Sequence, residues 1–532
     1  MNEIIGRELG KIIDRHDMPT TRIDHEQTKW ECAKQNPRAV ACIIGLLWVL
    51  TLAGFDNQAG SIAVSIPQFR KDFGHYFNGG YVLDASWQSA ISGAPLASWV
   101  TGALMAVWIA DQIGRKPTLF CALTITLAGA TLEFVSTTIQ IFFAGKFLNG
   151  FGIGFIQSVG VTYIAEISPM TIRGIATGAS NISMCIGPFV CYLISDGLSK
   201  RVDRWAYRGI FCAQWGFAGV ALLFLFFIPE SPWYLVRKNK EAAALRSLQK
   251  LSEKHSLEFT EQRLAVIRAT IIDAADLTQG SSYLECFRGV NLRRTMVACM
   301  PMTIQQLSGV NFISNYSTYY YQLAGFSTEK SFQISCGAQA LSVSGTIVSL
   351  FLLDRFGRRP LLFYGLLSVA SLLVIIGGLA TQKHNHSAIN AACGLIASYN
   401  FFYNLGLSSV CYAIMAETAT ARLRVKTTGL AIAISHSLTC MWAFVLPFLF
   451  NPDHLNLGAK TSFIFGGFGV ILLVYLWFCQ PETANRSFAE IDEMYAKKVS
   501  ARQFKHFKTR EQLLIERDDN MGIAGKVLNA MK

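Results

Sequence analysis

Charge is scarce in this 532-residue chain: Asp, Glu, Lys and Arg together make up 15% of it, against 52% hydrophobic residues. A set of soluble domains is excluded, since such domains need about a quarter of their residues charged. Other absences narrow the reading further. There is no Walker lysine motif, which argues against an ATP-driven pump. The cysteines lie mostly inside apolar runs (Cys121, Cys185, Cys191, Cys299, Cys411, Cys440) without zinc-ligand spacing or a flanking histidine, so no metal site and no cofactor are expected. The stretch from Met1 to Arg38 is basic but has no apolar core, so no cleavable signal peptide is expected and the amino terminus should stay in the cytosol. No nucleophile, base and orienting group converge, so the chain does not read as an enzyme. The net charge of +12 does not point to nucleic acid, because the basic residues fall mainly in the tails and in short loops beside apolar runs.

What is present is a series of apolar runs, each long enough to cross a bilayer at about 20 residues. The first runs from Ala39 to Ile62, followed by runs near 86–109, 118–138, 140–164, 175–195 and 208–228. The second half repeats the pattern near 296–323, 332–353, 361–380, 391–415, 427–450 and 462–480. About twelve spans place both termini on one side, and the basic turns at Arg115-Lys116, Arg355/Arg358/Arg359 and Arg422/Arg424/Lys426 mark that side as cytoplasmic. Lys200, Arg201, Arg204 and Arg208 form a local exception on the opposite side. The expected organisation is a cytoplasmic tail (1–38), a six-helix bundle (39–228), a cytoplasmic linker with short amphipathic helices (229–295), a second six-helix bundle (296–480) and a cytoplasmic tail (481–532).

The two halves echo each other. Asp111-Gln-Ile-Gly-Arg-Lys-Pro117 recurs as Asp354-Arg-Phe-Gly-Arg-Arg-Pro360, Glu166 and Arg173 as Glu417 and Arg424, and Pro229-Glu230-Ser231 as Pro481-Glu482-Thr483. Collinear echoes at nearly one offset are what two fused, similar halves leave, as in many secondary transporters. In each copy the glycine (Gly114, Gly357) permits a tight turn, the proline starts the next helix, and the acid faces a helix amino terminus or an arginine. The expected device is a latch at one end of each bundle, built from Asp111, Gly114, Arg115, Glu166, Arg173 and Glu230, and from Asp354, Gly357, Arg358, Glu417, Arg424 and Glu482. By contrast, Gly150-Phe-Gly-Ile-Gly154 lies within an apolar run with no preceding strand, so it reads as close helix packing rather than a nucleotide loop.

Asp56 lies deep in the first span, where an ionisable side chain is functional by default, and Lys146 reaches a similar depth in the fourth. The two are expected to pair, and separating them promotes proton uptake by the carboxylate. Glu133, near the end of the third span, either joins them or snorkels to the interface. Gln305, Gln306, Asn311, Asn315 and Tyr316 crowd one span that Gly309 interrupts. Neutral amides there both donate and accept, which suits sugar hydroxyls.

Together, Asp111-Gln-Ile-Gly-Arg-Lys, Glu166-Ile-Ser-Pro-Met-Thr-Ile-Arg-Gly174, Pro229-Glu-Ser-Pro-Trp233, Gln305-Gln-Leu-Ser-Gly-Val-Asn311 and Pro481-Glu-Thr resemble the sugar porters of the major facilitator superfamily. Val410-Cys-Tyr-Ala-Ile-Met-Ala-Glu417 and Asn451-Pro-Asp-His-Leu-Asn-Leu-Gly-Ala-Lys460 are similar to the fungal α-glucoside, maltose-type proton symporters. The resemblance implies an all-α fold of twelve transmembrane helices in two pseudo-symmetric six-helix bundles, the major facilitator fold, in the plasma membrane. It implies that Asp56 carries the coupled proton, with Lys146 where arginine is usual, and that Gln305, Gln306 and Asn311 bind the sugar. It adds Asn181, where glutamine is usual, and Asn404 and Tyr412, where hexose carriers have glutamate and tryptophan. The expected function is proton-coupled uptake of an α-glucoside by a monomer whose partners are sugar, protons and lipid. Ser408-Ser409 replaces the Gly-Pro of the α-glucoside group, which keeps open a carrier of glycosylated metabolites or a passive hexose carrier; a non-transporting sugar sensor, for which the stretch after Arg502 is short, is a separate alternative.

Overall fold

The computed structural model describes residues 29 to 507, apart from 78–79, 253–255, 279–281, 383–384, 421, 452–453, 485, 487 and 505–506. The chain folds into helices wherever apolar runs leave the backbone no water to bond, because only an intrahelical ladder satisfies every N–H and C=O in lipid. In order these are α1 (Lys29–Gln35), α2 (Pro37–Ser65), α3 (Pro67–Phe73), α4 (Ala85–Ile113), α5 (Arg115–Val135), α6 (Ile139–Ile167), α7 (Met170–Leu198) and α8 (Trp205–Phe227). Short helices α9 (Pro232–Arg237) and α10 (Glu241–Leu251), the latter where the amphipathic pattern predicts one, are followed by the longer α11 (Leu257–Thr278). The second half holds α12 (Gly289–Leu307), α13 (Val310–Leu323), α14 (Thr328–Phe356), α15 (Arg358–Leu379), α16 (His386–Tyr403), α17 (Ser409–Thr418), α18 (Arg424–Phe450), α19 (Ser462–Cys479) and α20 (Phe488–Ala496). A small antiparallel hairpin, β1 (His75–Phe77) with β2 (Gly80–Val82), departs from the all-α expectation.

The count of twelve spans needs correcting. Ten helices among the described residues are long and apolar enough to cross a membrane. The seventh and tenth expected runs are broken. Gly309, at φ +88°, separates α12 from α13, and a π-helical turn at Asn404–Ser408 separates α16 from α17. Hydropathy averages over such breaks, which are tolerated at membrane depth only where protein or water re-satisfies the freed backbone groups.

The chain divides into two compact units. One comprises Met1–Asp276 with Tyr321–Gln339 and Ala443–Pro447; the other comprises Leu277–Tyr320, Ala340–Trp442 and Phe448–Lys532. In the first unit α6 is the hub, and its glycines explain why. A Cβ at Gly150 or Gly154 would run into the α4 backbone at Pro95 and Trp99, and one at Gly152 would lie 2.5 Å from Thr126 Oγ1 on α5. The glycine run is therefore a packing surface serving two neighbours, in line with its sequence reading. Gly154→Val is expected to cost at least about 1–3 kcal/mol through overpacking, read as a lower melting temperature of the detergent-solubilised protein.

The basic exception near α8 finds its partners locally. Lys200 pairs with Glu329 at 2.9 Å, Arg204 with Asp72 at 3.2 Å, and Arg208 donates to the Ser136 carbonyl at 3.1 Å. The segments from the second half are tied in by Arg70 donating to Gln322 Oε1 at 2.7 Å, Gln322 donating to the Ser65 carbonyl at 2.8 Å, and Ser89 donating to the Phe444 carbonyl at 3.0 Å. In the second unit α15 packs on α19 and α16, and Gly365 meets Gly406 so closely that a Cβ on Gly365 would lie 2.5 Å from the Gly406 Cα.

Candidate functional site

Three polar constellations interrupt this apolar scaffold. The first lies inside the first unit, where α2, α5, α6 and α8 converge. Lys146 Nζ stands 3.1 Å from Asp56 Oδ1 and 3.2 Å from Glu133 Oε2. Asn149, one turn along α6 from Lys146, donates to Asp56 at 2.6 Å and to Glu133 Oε1 at 3.1 Å, and Gln214 on α8 donates to Asp56 at 2.5 Å. Asp56 and Lys146 are each 4% exposed and Glu133 is fully buried. The expected Asp56–Lys146 pair is therefore present. Of the two readings open for Glu133, the structure selects membership of the cluster. The lysine stem runs beside Gly60, where a Cβ would lie 3.3 Å from Lys146 Cε, and its ammonium sits 5.5 Å from the centre of the Phe211 ring. Asn149 and Gln214 escaped the sequence reading. The signal for Asn149 was its position one helical turn from Lys146.

The second constellation is built of amides. Gln306 on α12 donates to Ser435 Oγ at 2.9 Å, while its carbonyl oxygen accepts from Thr439 at 2.8 Å and from Asn311 on α13 at 3.1 Å. Gln305 Oε1 lies 3.4 Å from Gln306 Nε2. The helix break at Gly309 folds Asn311 back onto Gln306. The carbonyl of Ser308 in that break is held by the Tyr399 hydroxyl at 2.9 Å. Ser435 and Thr439 on α18 were not anticipated. Tyr316 is buried with its ring 5.3 Å from Phe450, and Asn315 and Asn181 are half-buried. Asn404 belongs to a further polar group at the π turn, donating to Ser342 at 2.8 Å and accepting from Thr346 at 3.3 Å. Tyr412 is exposed on α17.

The third constellation is a latch present in two copies. In the first, Arg115 forks onto Glu166, with Nε and Nη2 each 3.0 Å from a carboxylate oxygen, and also donates to Asp111 at 3.1 Å and to the Ala110 carbonyl at 3.0 Å. Glu230 caps the amino terminus of α5, accepting from the Arg115 amide at 3.0 Å and the Lys116 amide at 3.3 Å. Burial pushes the Glu230 carboxyl above its ordinary range, against the pull of these amides. Gly114, at φ +110°, is where the turn passes so close to Glu230 that a Cβ would lie 2.5 Å from Oε2. Ser231 donates to Glu166, and Tyr234 donates to the Gln112 carbonyl at 2.8 Å, binding α9 to the turn. Arg173 lies over the Trp233 ring at 5.8 Å.

The second copy repeats this almost atom for atom. Arg358 lies 2.9 Å from Glu417, Glu482 accepts from the Arg358 amide at 3.0 Å and the Arg359 amide at 3.1 Å, and Thr483 donates to Glu417 at 2.6 Å. Gly357, at φ +88°, abuts Glu482 as Gly114 abuts Glu230. Arg424 opens α18, with Asp492 and Arg294 as its charged neighbours. The side chain of Asp354 lies outside the described residues.

Membrane-length helices, broken spans lined with amides, a buried ion cluster and a twice-built latch define a multi-pass membrane transporter of the major facilitator fold rather than an enzyme. The chain belongs to the sugar (and other) transporter family, whose model matches residues 41–495. It is 32% identical over 510 residues to the general alpha-glucoside permease of Saccharomyces cerevisiae, covering 94% of this chain and 82% of that one. It is 30% identical over 483 residues to the maltose permease MAL31 of the same organism, covering 89% and 78%. Its fold matches that of the xylose transporter XylE from E. coli in a partially occluded inward open conformation, with TM-score 0.69 at 17% identity over 85% of this chain and 100% of that one. A second match is the proton:xylose symporter XylE bound to 6-bromo-6-deoxy-D-glucose, with TM-score 0.67 at 19% identity over 87% and 100%.

Proposed function

We propose that this protein imports an α-glucoside such as maltose together with a proton, by alternating access across the plasma membrane, as a monomer with both termini in the cytosol. On this reading residues 1–38 and 481–532 are cytoplasmic tails, 39–228 and 296–480 are the two bundles, and 229–295 is a cytoplasmic linker. One observation carries the coupling: a carboxylate and an ammonium, Asp56 and Lys146, are held 3.1 Å apart inside the helix bundle. Buried charges of this kind are costly and persist where they move ions or protons. The α-glucoside cargo is supported by the long alignments to permeases named for alpha-glucosides and maltose.

In the cycle, a proton enters the cluster when Lys146 swings away from Asp56, because the carboxylate loses the cation that keeps it ionised. Sugar hydroxyls exchange hydrogen bonds with Gln305, Gln306 and Asn311, whose amides bond to one another. Asn315, Tyr316, Asn181, Asn404 and Tyr412 complete the site. The two latches, of Asp111, Gly114, Arg115, Glu166, Arg173 and Glu230 and of Asp354, Gly357, Arg358, Glu417, Arg424 and Glu482, hold the cytoplasmic helix ends in one state and release them in the other.

Uptake of labelled maltose in a transporter-deleted host, with alkalinisation of the medium, is the expected result. Uptake that an uncoupler leaves unchanged would end the coupling claim, and a panel of glycosides in the same host identifies the cargo. Gln306→Ala is expected to raise KM by about ten- to hundredfold, from the loss of roughly 1–3 kcal/mol when a buried amide network is left half-paired. An unchanged KM would remove Gln306 from the binding site.

A further inference from the structure

The side chain of Gln306 can form four hydrogen bonds, two at its carbonyl oxygen and two at its amide nitrogen, and all four are made. The oxygen accepts from Thr439 Oγ1 at 2.8 Å and from Asn311 Nδ2 at 3.1 Å. The nitrogen donates to Ser435 Oγ at 2.9 Å and, more loosely, to Gln305 Oε1 at 3.4 Å. These contacts are of two kinds. Asn311 and Gln305 are amides of the sugar site itself, so their bonds to Gln306 are the ones that sugar hydroxyls can take over. Ser435 and Thr439 come from another helix, α18, and hold one bond at each end of the amide.

Their spacing makes them a pair. Residues four apart on a helix stand one above the other on the same face, so two hydroxyls of α18 meet the oxygen and the nitrogen of one side chain. All of these residues lie within the second unit. Hydroxyls in a helix commonly bond back to the carbonyl four residues earlier. Ser437, which faces outward between the two, does so, donating to the Ala433 carbonyl at 2.8 Å. Thr439 has the same local option in the Ser435 carbonyl at 3.0 Å, yet its shorter contact is the one to Gln306.

With the two α18 bonds kept and the two amide bonds released, Gln306 turns one acceptor and one N–H toward the sugar in a fixed plane. Neighbouring ring hydroxyls can match such a pair. Without the α18 hydroxyls the side chain is free to rotate, and the cost of fixing it falls on sugar binding. We infer that Ser435 and Thr439 are positioning residues of the sugar site, which orient Gln306 without touching the sugar. This rests on the reading of Gln306 as a sugar ligand and deepens it.

The test is a double-mutant cycle on uptake of labelled maltose in the transporter-deleted host. Thr439→Val keeps the shape of the side chain and removes the hydroxyl at the oxygen end; Ser435→Ala removes the one at the nitrogen end. Each is expected to raise KM by roughly three- to tenfold, the weight of one hydrogen bond, with the change in KM rather than in Vmax. Thr439→Ser, which restores the hydroxyl, should return KM to the wild-type value. In a Gln306→Ala background neither substitution should raise KM further, because the side chain they orient is gone. A rise that persists in that background overturns the proposal, since the hydroxyl then meets the sugar directly. So does a lower Vmax per surface transporter with KM unchanged, which marks a packing role. Should Thr439→Val fail to reach the membrane, Ser435→Ala decides by the same comparison. Failure of the underlying reading looks different: Gln306→Ala then itself leaves KM unchanged, which removes Gln306 from the binding site and this inference with it. Wild-type protein that takes up no maltose ends the cargo reading, and the cycle is run with the glycoside that the panel identifies.

Discussion

Asp56→Asn is expected to abolish accumulation of sugar against its gradient while leaving exchange of labelled for unlabelled sugar in place. The substitution keeps the shape of the side chain and removes its charge. What stays behind is Glu133 beside Lys146, already a neutral pair at 3.2 Å, so nothing in the cluster then calls for a proton. One proton moving through about 100 mV supplies about 2.3 kcal/mol, equivalent to roughly fiftyfold accumulation, and all of it should disappear. The check is the ratio of internal to external labelled maltose at steady state, paired with counterflow. A variant that still concentrates sugar would clear Asp56 of any part in coupling. The opposite failure, loss of counterflow as well, would mean that the Asp56 charge is needed to hold Asn149 and Gln214 in place rather than to sense protons.

The second large effect is expected at the first latch. Arg115→Ala deletes a forked contact to Glu166, a bond to the Ala110 carbonyl and a contact to Asp111, and leaves Glu166 with the Ser231 hydroxyl alone among the contacts described above. Removing one member of a buried pair costs about 3–5 kcal/mol because the other is left uncompensated. In a two-state equilibrium that is a shift of more than about a hundredfold. The expected readouts are a markedly lower melting temperature and, in protein that still reaches the membrane, a gain in modification of cysteines introduced at the latch end. Arg358→Ala should do less, since Glu417 is 24% exposed where Glu166 is 8%. Equal losses from the two variants would contradict this ranking.

The scaffold was legible because hydropathy and basic turns act over whole spans. Breaks within spans were not, because Asn404–Ser408 keeps an apolar average and a π turn has no composition of its own. In the cluster, Asp56 and Lys146 announced themselves as charges in apolar runs. Asn149 and Gln214 did not, since neutral amides occur throughout membrane helices and only the rotation of α6 and α8 decides which of them face a carboxylate. Glu133 was ambiguous for a related reason: counting residues along α5 gives depth but not direction. The latch residues could be read from their duplication. Their wiring could not, as Glu166 joins Arg115 from another motif.

The unequal cover of the two latches has a consequence for ionic conditions. Mobile ions screen charges that water reaches and scarcely affect those it does not. Raised salt on the latch side should therefore loosen Arg358–Glu417 while leaving Arg115–Glu166 firm, so ionic strength acts as a dial on one half of the molecule alone.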